Sequence, residues 1–138
     1  MKTLFLDTAY VIALLNSRDP HHDAAAEMAR RIQASEFRLL TTTAILIELG
    51  DGFTRKGRWQ VLEPTLDELL TDESVEVIEV DRVLTREAIA LRKQRQDKQW
   101  GLTDCVSFVV MQKRRLNEAL TADHHFEQAG FRALLLEA

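Results

Sequence analysis

Residues 105 to 111 read CVSFVVM, and a helix drawn through them has no broad polar face before Gln112. A helix that is apolar almost all round must be covered on every side, so the chain has to build layers around it. Gly101 breaks the preceding segment, and Thr103 is a good N-cap. That places Asp104 in the first turn, where the helix dipole favours negative charge. A carboxylate at the rim of a buried helix is either a cap or part of a site. Which of the two depends on whether other acids reach the same place.

The rest of the chain reads as short apolar runs alternating with helical segments. Leu4, Phe5 and Leu6 form a strand that ends at Asp7 and runs into a helix carrying Val11, Ile12, Leu14 and Leu15. Asp19 and Pro20 suit an N-cap and first helical position, and Ala25, Met28 and Ile32 then share a face. Phe37 to Thr42 is a second strand. Thr43 is placed to cap a third helix with Ile45, Leu46, Leu49 and Phe53 in phase, Glu48 at the margin of that stripe, and Gly57 as the stop. Arg58 to Leu70 is helical, with Pro64 either in a first turn or dividing the segment. Val75, Val77 and Val80 mark a third strand, and a fifth helix starts near Asp81. After the buried helix, Glu118 to Thr121 is a fourth strand leading to Asp123, and Phe131 to Leu136 a fifth. Strands separated by helices throughout predict an α/β layer fold with a mostly parallel sheet in one domain spanning residues 1–138.

Composition narrows the class. With 138 residues, 46% hydrophobic and 29% charged, the chain suits one soluble globular core. Cys105 is the only cysteine, so no internal disulfide is possible and a reducing, cytoplasmic setting is expected. Without a neighbouring base it reads as a buried helical thiol, not a nucleophile. Asp7 interrupts the apolar N-terminus, which excludes a signal peptide, and no apolar run reaches the ~18 residues of a membrane span. A net charge of −4 argues against broad nucleic-acid binding, yet cations cluster at Arg55, Lys56 and Arg58, at Arg92 to Lys98, and at Lys113 to Arg115.

In an open parallel sheet, ligands bind beyond the carboxyl ends of the strands, where strand order reverses. Asp7 and Asp123 each stand just past a strand, Asp104 opens the helix leading into the fourth strand, and Glu48 lies about one turn into the helix after the second. If strands one and four are neighbours, the four carboxylates meet. Two like charges ~4 Å apart repel by about 4 kcal/mol at an effective dielectric of 20, so such a cluster needs a divalent ion or takes up protons. Oxygen donors select Mg²⁺ or Mn²⁺. Each acid also has a plain reading: Asp7 as a cap, Glu48 as a surface charge, Asp123 as the start of an Asx turn.

The segments LFLDTAYVIALLN, TTTAILIELGDGF, GLTDCVSFVVM and EALTADHHFEQAGF, in that order, resemble the signature segments of the PIN domain family, and within it the small VapC-type toxins of toxin–antitoxin pairs. The resemblance covers essentially the whole chain. It implies a five-stranded parallel sheet flanked by helices in three layers, Mg²⁺- or Mn²⁺-dependent ribonuclease activity, an antitoxin partner and a homodimer. It assigns Asp7, Glu48, Asp104 and Asp123 as the acidic quartet, with Thr8 as a hydroxyl bonding within the site and Thr103 as a capping or acid-orienting hydroxyl. Asp51, one turn past Glu48, is a supporting acid or a solvated one, and Asp97 is a surface charge. His124 and His125 are helix-start or substrate-contact residues, and His21 and His22 are exposed.

The expected chemistry is endonucleolytic hydrolysis of RNA by metal-activated water, with single-stranded or looped RNA as substrate. The alternative is a PIN-like module that binds RNA or protein without cutting. Other α/β readings fail on residues. Asp7 has no adjacent acid for a receiver domain, Ala9 spoils the Asp-x-Asp of a haloacid-dehalogenase-like phosphatase, and no GxxxxGK[ST] loop occurs.

Overall fold

The computed structural model describes residues 1–34 and 36–137. Five strands, β1 (Lys2–Leu6), β2 (Phe37–Thr42), β3 (Val75–Ile78), β4 (Glu118–Leu120) and β5 (Arg132–Ala133), form one sheet in the order β3-β2-β1-β4-β5. Every pairing is parallel. Among the described residues seven helices connect them: α1 (Thr8–Leu15), α2 (His22–Gln33), α3 (Thr43–Arg55), α4 (Trp59–Thr71), α5 (Arg82–Gln94), α6 (Leu102–Lys113) and α7 (His124–Gln128). The chain winds outward from β1 through β2 to β3, then returns across the sheet to β4. Right-handed crossovers therefore put α1 to α4 on one face and α5 to α7 on the other.

Strands one and four are neighbours, with Phe5 opposite Ala119 and Leu6 opposite Leu120. The order reverses there, so the chain leaves β1 and β4 side by side, and the Asp7 amide donates to the Leu120 carbonyl at 3.3 Å. Leu4, Phe5, Leu6, Leu40 and Leu120 are all buried in the sheet. In α6 every residue from Cys105 to Met111 is buried, as an all-round apolar helix requires. Phe108 packs edge-on against Trp100 (4.9 Å between ring centroids) and Phe126 (5.0 Å), which ties α6 to α7.

Several boundaries depart from the sequence-based expectation. Gly101, not Thr103, is the N-cap of α6. Thr42, not Thr43, caps α3 by accepting from the Ile45 amide (3.3 Å), while the Thr43 hydroxyl accepts from the Val80 amide beyond β3. Asp19 accepts from the His21 amide at 2.8 Å, a turn that delays α2 until His22. Pro64 neither starts nor divides a helix but lies inside α4. Its missing N–H leaves the Gln60 carbonyl without an intrahelical partner, and both residues are exposed, so water can satisfy that carbonyl. The last strand is only Arg132–Ala133, because Leu134–Leu136 turns into a 3₁₀ helix whose Leu135 amide donates to the Thr121 carbonyl (3.1 Å). Among the described residues no helix is long and apolar enough to cross a membrane.

Candidate active site

At the C-terminal edge of the sheet, beside the strand-order reversal, the acids come from four elements. Asp7 follows β1, Asp123 follows β4, Asp104 is the third residue of α6 and Glu48 lies midway along α3. They are near enough to act on one another: Asp104 and Asp123 both raise the pKa of Asp7 and of Glu48, and Asp123 raises that of Asp104.

Asp7 is the buried member. It stands at the N-cap position of α1 yet makes no capping bond, and its Oδ2 accepts from the Thr121 hydroxyl at 2.7 Å. Burial pushes its carboxyl up to about 7; the Thr121 hydroxyl and the Thr8 amide oppose the rise, and the neighbouring acids add to it. Asp104 is half-buried, and its Oδ2 accepts from the Gly101 amide at 3.0 Å, which fixes the carboxylate over the start of α6. Its pKa is raised, first by burial and then by Asp123, while the Gly101 amide and His125 pull it down. Glu48 stands at the exposed edge. Partial burial of its carboxyl is the largest cause of its raised pKa, and the hydroxyls of Thr8 and Thr103 act against it. The two threonines therefore lie against Glu48, and of the two roles expected of Thr103, capping or orienting an acid, the placement suits the second.

Asp123 caps α7, accepting from the His125 amide at 2.9 Å. Its own amide donates to the Thr121 hydroxyl oxygen at 3.0 Å. One buried hydroxyl thus links Asp7 to the turn that carries Asp123. The sequence presents Thr121 only as the end of a strand; its spacing two residues before an acid, TAD, is a weak signal without the fold.

The histidines are closer to the site than the sequence suggests. His125 Nδ1 lies 3.0 Å from Asp123 Oδ1 and 3.5 Å from Asp104 Oδ2. Neither approach is aligned as a hydrogen bond, which makes Nδ1 the buried side-chain polar atom without a partner among the described residues. Ligand atoms of Asp123, His124 and His125 lie within 4.8 Å of one another, the one such trio among the described residues. Asp51 is exposed beside Glu48, lining a hollow shared with Thr43 and Thr103. Asp97 is exposed and paired with Arg95 (3.1 Å) and Lys98 (3.8 Å). His21 and His22 are only part-exposed, and His22 Nδ1 is 2.8 Å from the Ala13 carbonyl, joining α2 to α1.

The donor set fits a hard divalent cation. It is rich in carboxylate oxygen, it includes a buried Asp that holds its proton to near neutrality in the absence of positive charge, and helices α1, α3 and α6 begin at this edge.

The comparisons with known proteins agree with this geometry. The PIN domain family model matches residues 4–132. The 23S rRNA-specific endonuclease VapC20 of Mycobacterium tuberculosis, in strains CDC 1551 / Oshkosh and H37Rv, is 28% identical over 132 residues, which is 93% of this chain and 95% of the relative. The crystal structure of M. tuberculosis VapC20, described as a Sarcin-Ricin loop cleaving toxin, superposes with a TM-score of 0.81 at 25% identity, covering 94% of this chain and 96% of that one. A toxin–antitoxin complex from Klebsiella pneumoniae shares the fold, with a TM-score of 0.58 at 18% identity over 88% of this chain and 87% of its own. With its five parallel strands, its strand-order reversal at β1 and β4 and a family match across nearly its whole length, the chain belongs to the PIN domain family.

Proposed function

We propose that this chain is a divalent-metal-dependent endoribonuclease, the toxin of a type II toxin–antitoxin pair, and that Asp7, Glu48, Asp104 and Asp123 are its catalytic and metal-holding residues. The observation that carries the reading is the convergence of carboxylates from four separate elements on one edge, with Asp7 so buried that its charge needs a cation. Asp7, Asp104 and Asp123 would hold Mg²⁺ or Mn²⁺, with Glu48 completing the set, and the bound ion would supply Lewis acidity toward water and phosphate.

The protein's own groups do the positioning. Thr121 fixes the Asp7 carboxylate, the Gly101 amide fixes that of Asp104, and the start of α7 fixes that of Asp123. Thr8 and Thr103 steady Glu48 at the exposed side, where substrate enters. His125, with Nδ1 between Asp104 and Asp123, is a counter-charge to both when protonated. The edge is open enough for a single strand or loop, and a stacked duplex is the poorer fit.

The 23S rRNA cut by the related VapC20 is the first substrate to try, beside a panel of single-stranded and looped RNAs. An antitoxin that covers the acidic edge is the expected partner, with an inserted Arg as the matching chemistry. A homodimer and a cytoplasmic setting complete the proposal. The test is cleavage by the purified chain and by Asp7→Asn and Asp104→Asn, each with Mg²⁺, Mn²⁺ or EDTA. Activity only in the wild type with metal supports the reading; cutting that survives EDTA or either substitution overturns it.

A further inference from the structure

Next to the acidic edge, between α1 and α3, lies a cavity of about 390 Å³. It shares Thr8 and Glu48 with the acid site, so it opens directly onto it. Ile12, Leu49 and Phe53 give it an apolar floor, and the far side carries Arg55, Lys56 and Arg58. One wall is thus negative and suited to metal, the opposite wall is positive, and between them is a surface that suits a flat ring. A space of this size matches one nucleotide-sized ligand.

The cations on this wall are available. Among the described residues none of the three takes part in an ion pair, whereas Arg95 and Lys98 are engaged by Asp97, Lys113 by Glu87 and Arg114 by Glu76. Of the three basic clusters in the sequence, only this one combines unengaged charge with a hollow beside the acids. Arg58 is also pre-positioned: its Nη2 donates to the Leu15 carbonyl at 3.2 Å, and its guanidinium carbon stands 5.9 Å from the Phe53 ring centroid. A guanidinium held in this way offers a planar face for a base and further N–H groups for phosphate. Asn16, on the same cavity, adds an amide that can both donate and accept.

We propose that this cleft seats the nucleotide adjoining the phosphodiester that is cut, its base over the apolar floor and Arg58, and its outer phosphate on Arg55 and Lys56. The idea rests on the nuclease reading for its substrate class, and it adds where the strand is gripped and how a base is selected. The cleft draws the strand away from the acids on the side of α1 and α3, and base preference arises from the fit against Phe53, Arg58 and Asn16.

The test measures binding of a fluorescein-labelled, short single-stranded oligoribonucleotide by anisotropy, in Mg²⁺, on an Asp104→Asn background that prevents cutting. Arg55 and Lys56 are exposed, so Arg55→Gln and Lys56→Gln are expected to keep the wild-type melting temperature. Each is expected to weaken binding about three- to tenfold and to flatten the slope of log K against log salt by ~0.7. Arg114→Gln, on the opposed basic cluster, is expected to leave both unchanged. Gly52→Leu reaches into the cavity from a position where a Cβ meets only the Arg55 guanidinium, at 3.9 Å; it is expected to lower RNA affinity, and its melting temperature, measured alongside, separates that effect from loss of the fold. In parallel, cleavage by the single variants on the wild-type background should show raised KM with kcat little changed.

If the wild type cuts RNA and these variants cut and bind like it, the cleft proposal falls and the nuclease reading stands. If the chain binds RNA through the cleft but never cuts, the nuclease reading falls and the placement beside a scissile bond falls with it, leaving the cleft as an RNA-gripping surface only. Variants that bind RNA normally but lose a protein partner would assign the cleft to that partner and overturn the proposal.

Discussion

Thr121 brings one hydroxyl to the site, and both flanking acids depend on it. Its hydroxyl gives its hydrogen to Asp7 at 2.7 Å and accepts the Asp123 amide at 3.0 Å, with no exposure to water. Thr121→Val keeps the shape and removes both bonds, leaving the buried Asp7 carboxyl with only the Thr8 amide and the part-buried Asp123 amide without its hydroxyl partner. The expected loss of stability is about 1–3 kcal/mol. Groups that orient metal ligands typically change metal affinity by about 10–100-fold, and the same range is expected for Mn²⁺ here. Thr121→Ser should recover most of that affinity, which separates the hydroxyl from the packing of the methyl group. Titration calorimetry with Mn²⁺ is the measurement; an unchanged affinity in the valine variant would remove Thr121 from the site. The placement of the three aspartates was legible in the sequence, because an Asp after an apolar run or at a helix start carries position information, which Glu48, midway along α3, does not. Thr121 was not, and His125 was legible only as a helix-start or substrate-contact residue, since a hydroxyl just past a strand and a histidine in a helix take their further roles only from what the fold brings alongside.

The same division holds for whole elements. The buried helix α6 was legible in detail because all-round apolarity has one structural solution, and the parallel order followed from helices between short strands. Boundaries were less so. Thr42 and Thr43 are adjacent hydroxyls, and which one caps α3 is decided by the Val80 amide taking the other. The fifth strand stops early because the Thr121 carbonyl takes the Leu135 amide, a bond across the edge of the fold that no local pattern announces. Among these elements α7 is the most exposed to change. It has five residues, too few to be stable alone, and it is held by Phe126 against Phe108 and Phe5 and by the Trp100 Nε1–H donating to Gln128 at 3.0 Å. Phe126→Ala empties a fully buried site and should destabilise the chain by about 3–5 kcal/mol. Gln128→Ala breaks only the tether and should cost about 1 kcal/mol, with a change in Trp100 emission. Because α7 sets Asp123 and His125, metal affinity should fall with the first variant even at temperatures where it remains folded. Chemical denaturation followed by fluorescence gives the stabilities, and unaltered metal binding by folded Phe126→Ala would show that α7 does not position the acids.

For the molecule as a whole, the acidic edge makes stability depend on pH and on metal together. The folded-state pKa of Asp7 is raised from 3.8 to about 7, so between those values the folded chain keeps a proton that the unfolded chain has lost. The stability this contributes is complete below the lower value and is lost as pH rises through the upper one. Its upper limit is roughly 4 kcal/mol, at 1.36 kcal/mol per pH unit. The raised values of Asp104 and Glu48 have the same sign. With EDTA present, the wild type should therefore lose melting temperature between about pH 4 and pH 7 relative to Asp7→Asn, which has no proton to give up there. A divalent ion binds the ionised carboxylates of the folded chain, so the gain in melting temperature with Mn²⁺ should grow as pH rises over the same interval. Scanning fluorimetry of both proteins, with EDTA or Mn²⁺ across that range, reads all of this at once. A wild type and an Asp7→Asn variant with parallel pH profiles in EDTA would mean that Asp7 ionises in the fold without penalty, and the case for a cation at this edge would lose its physical basis.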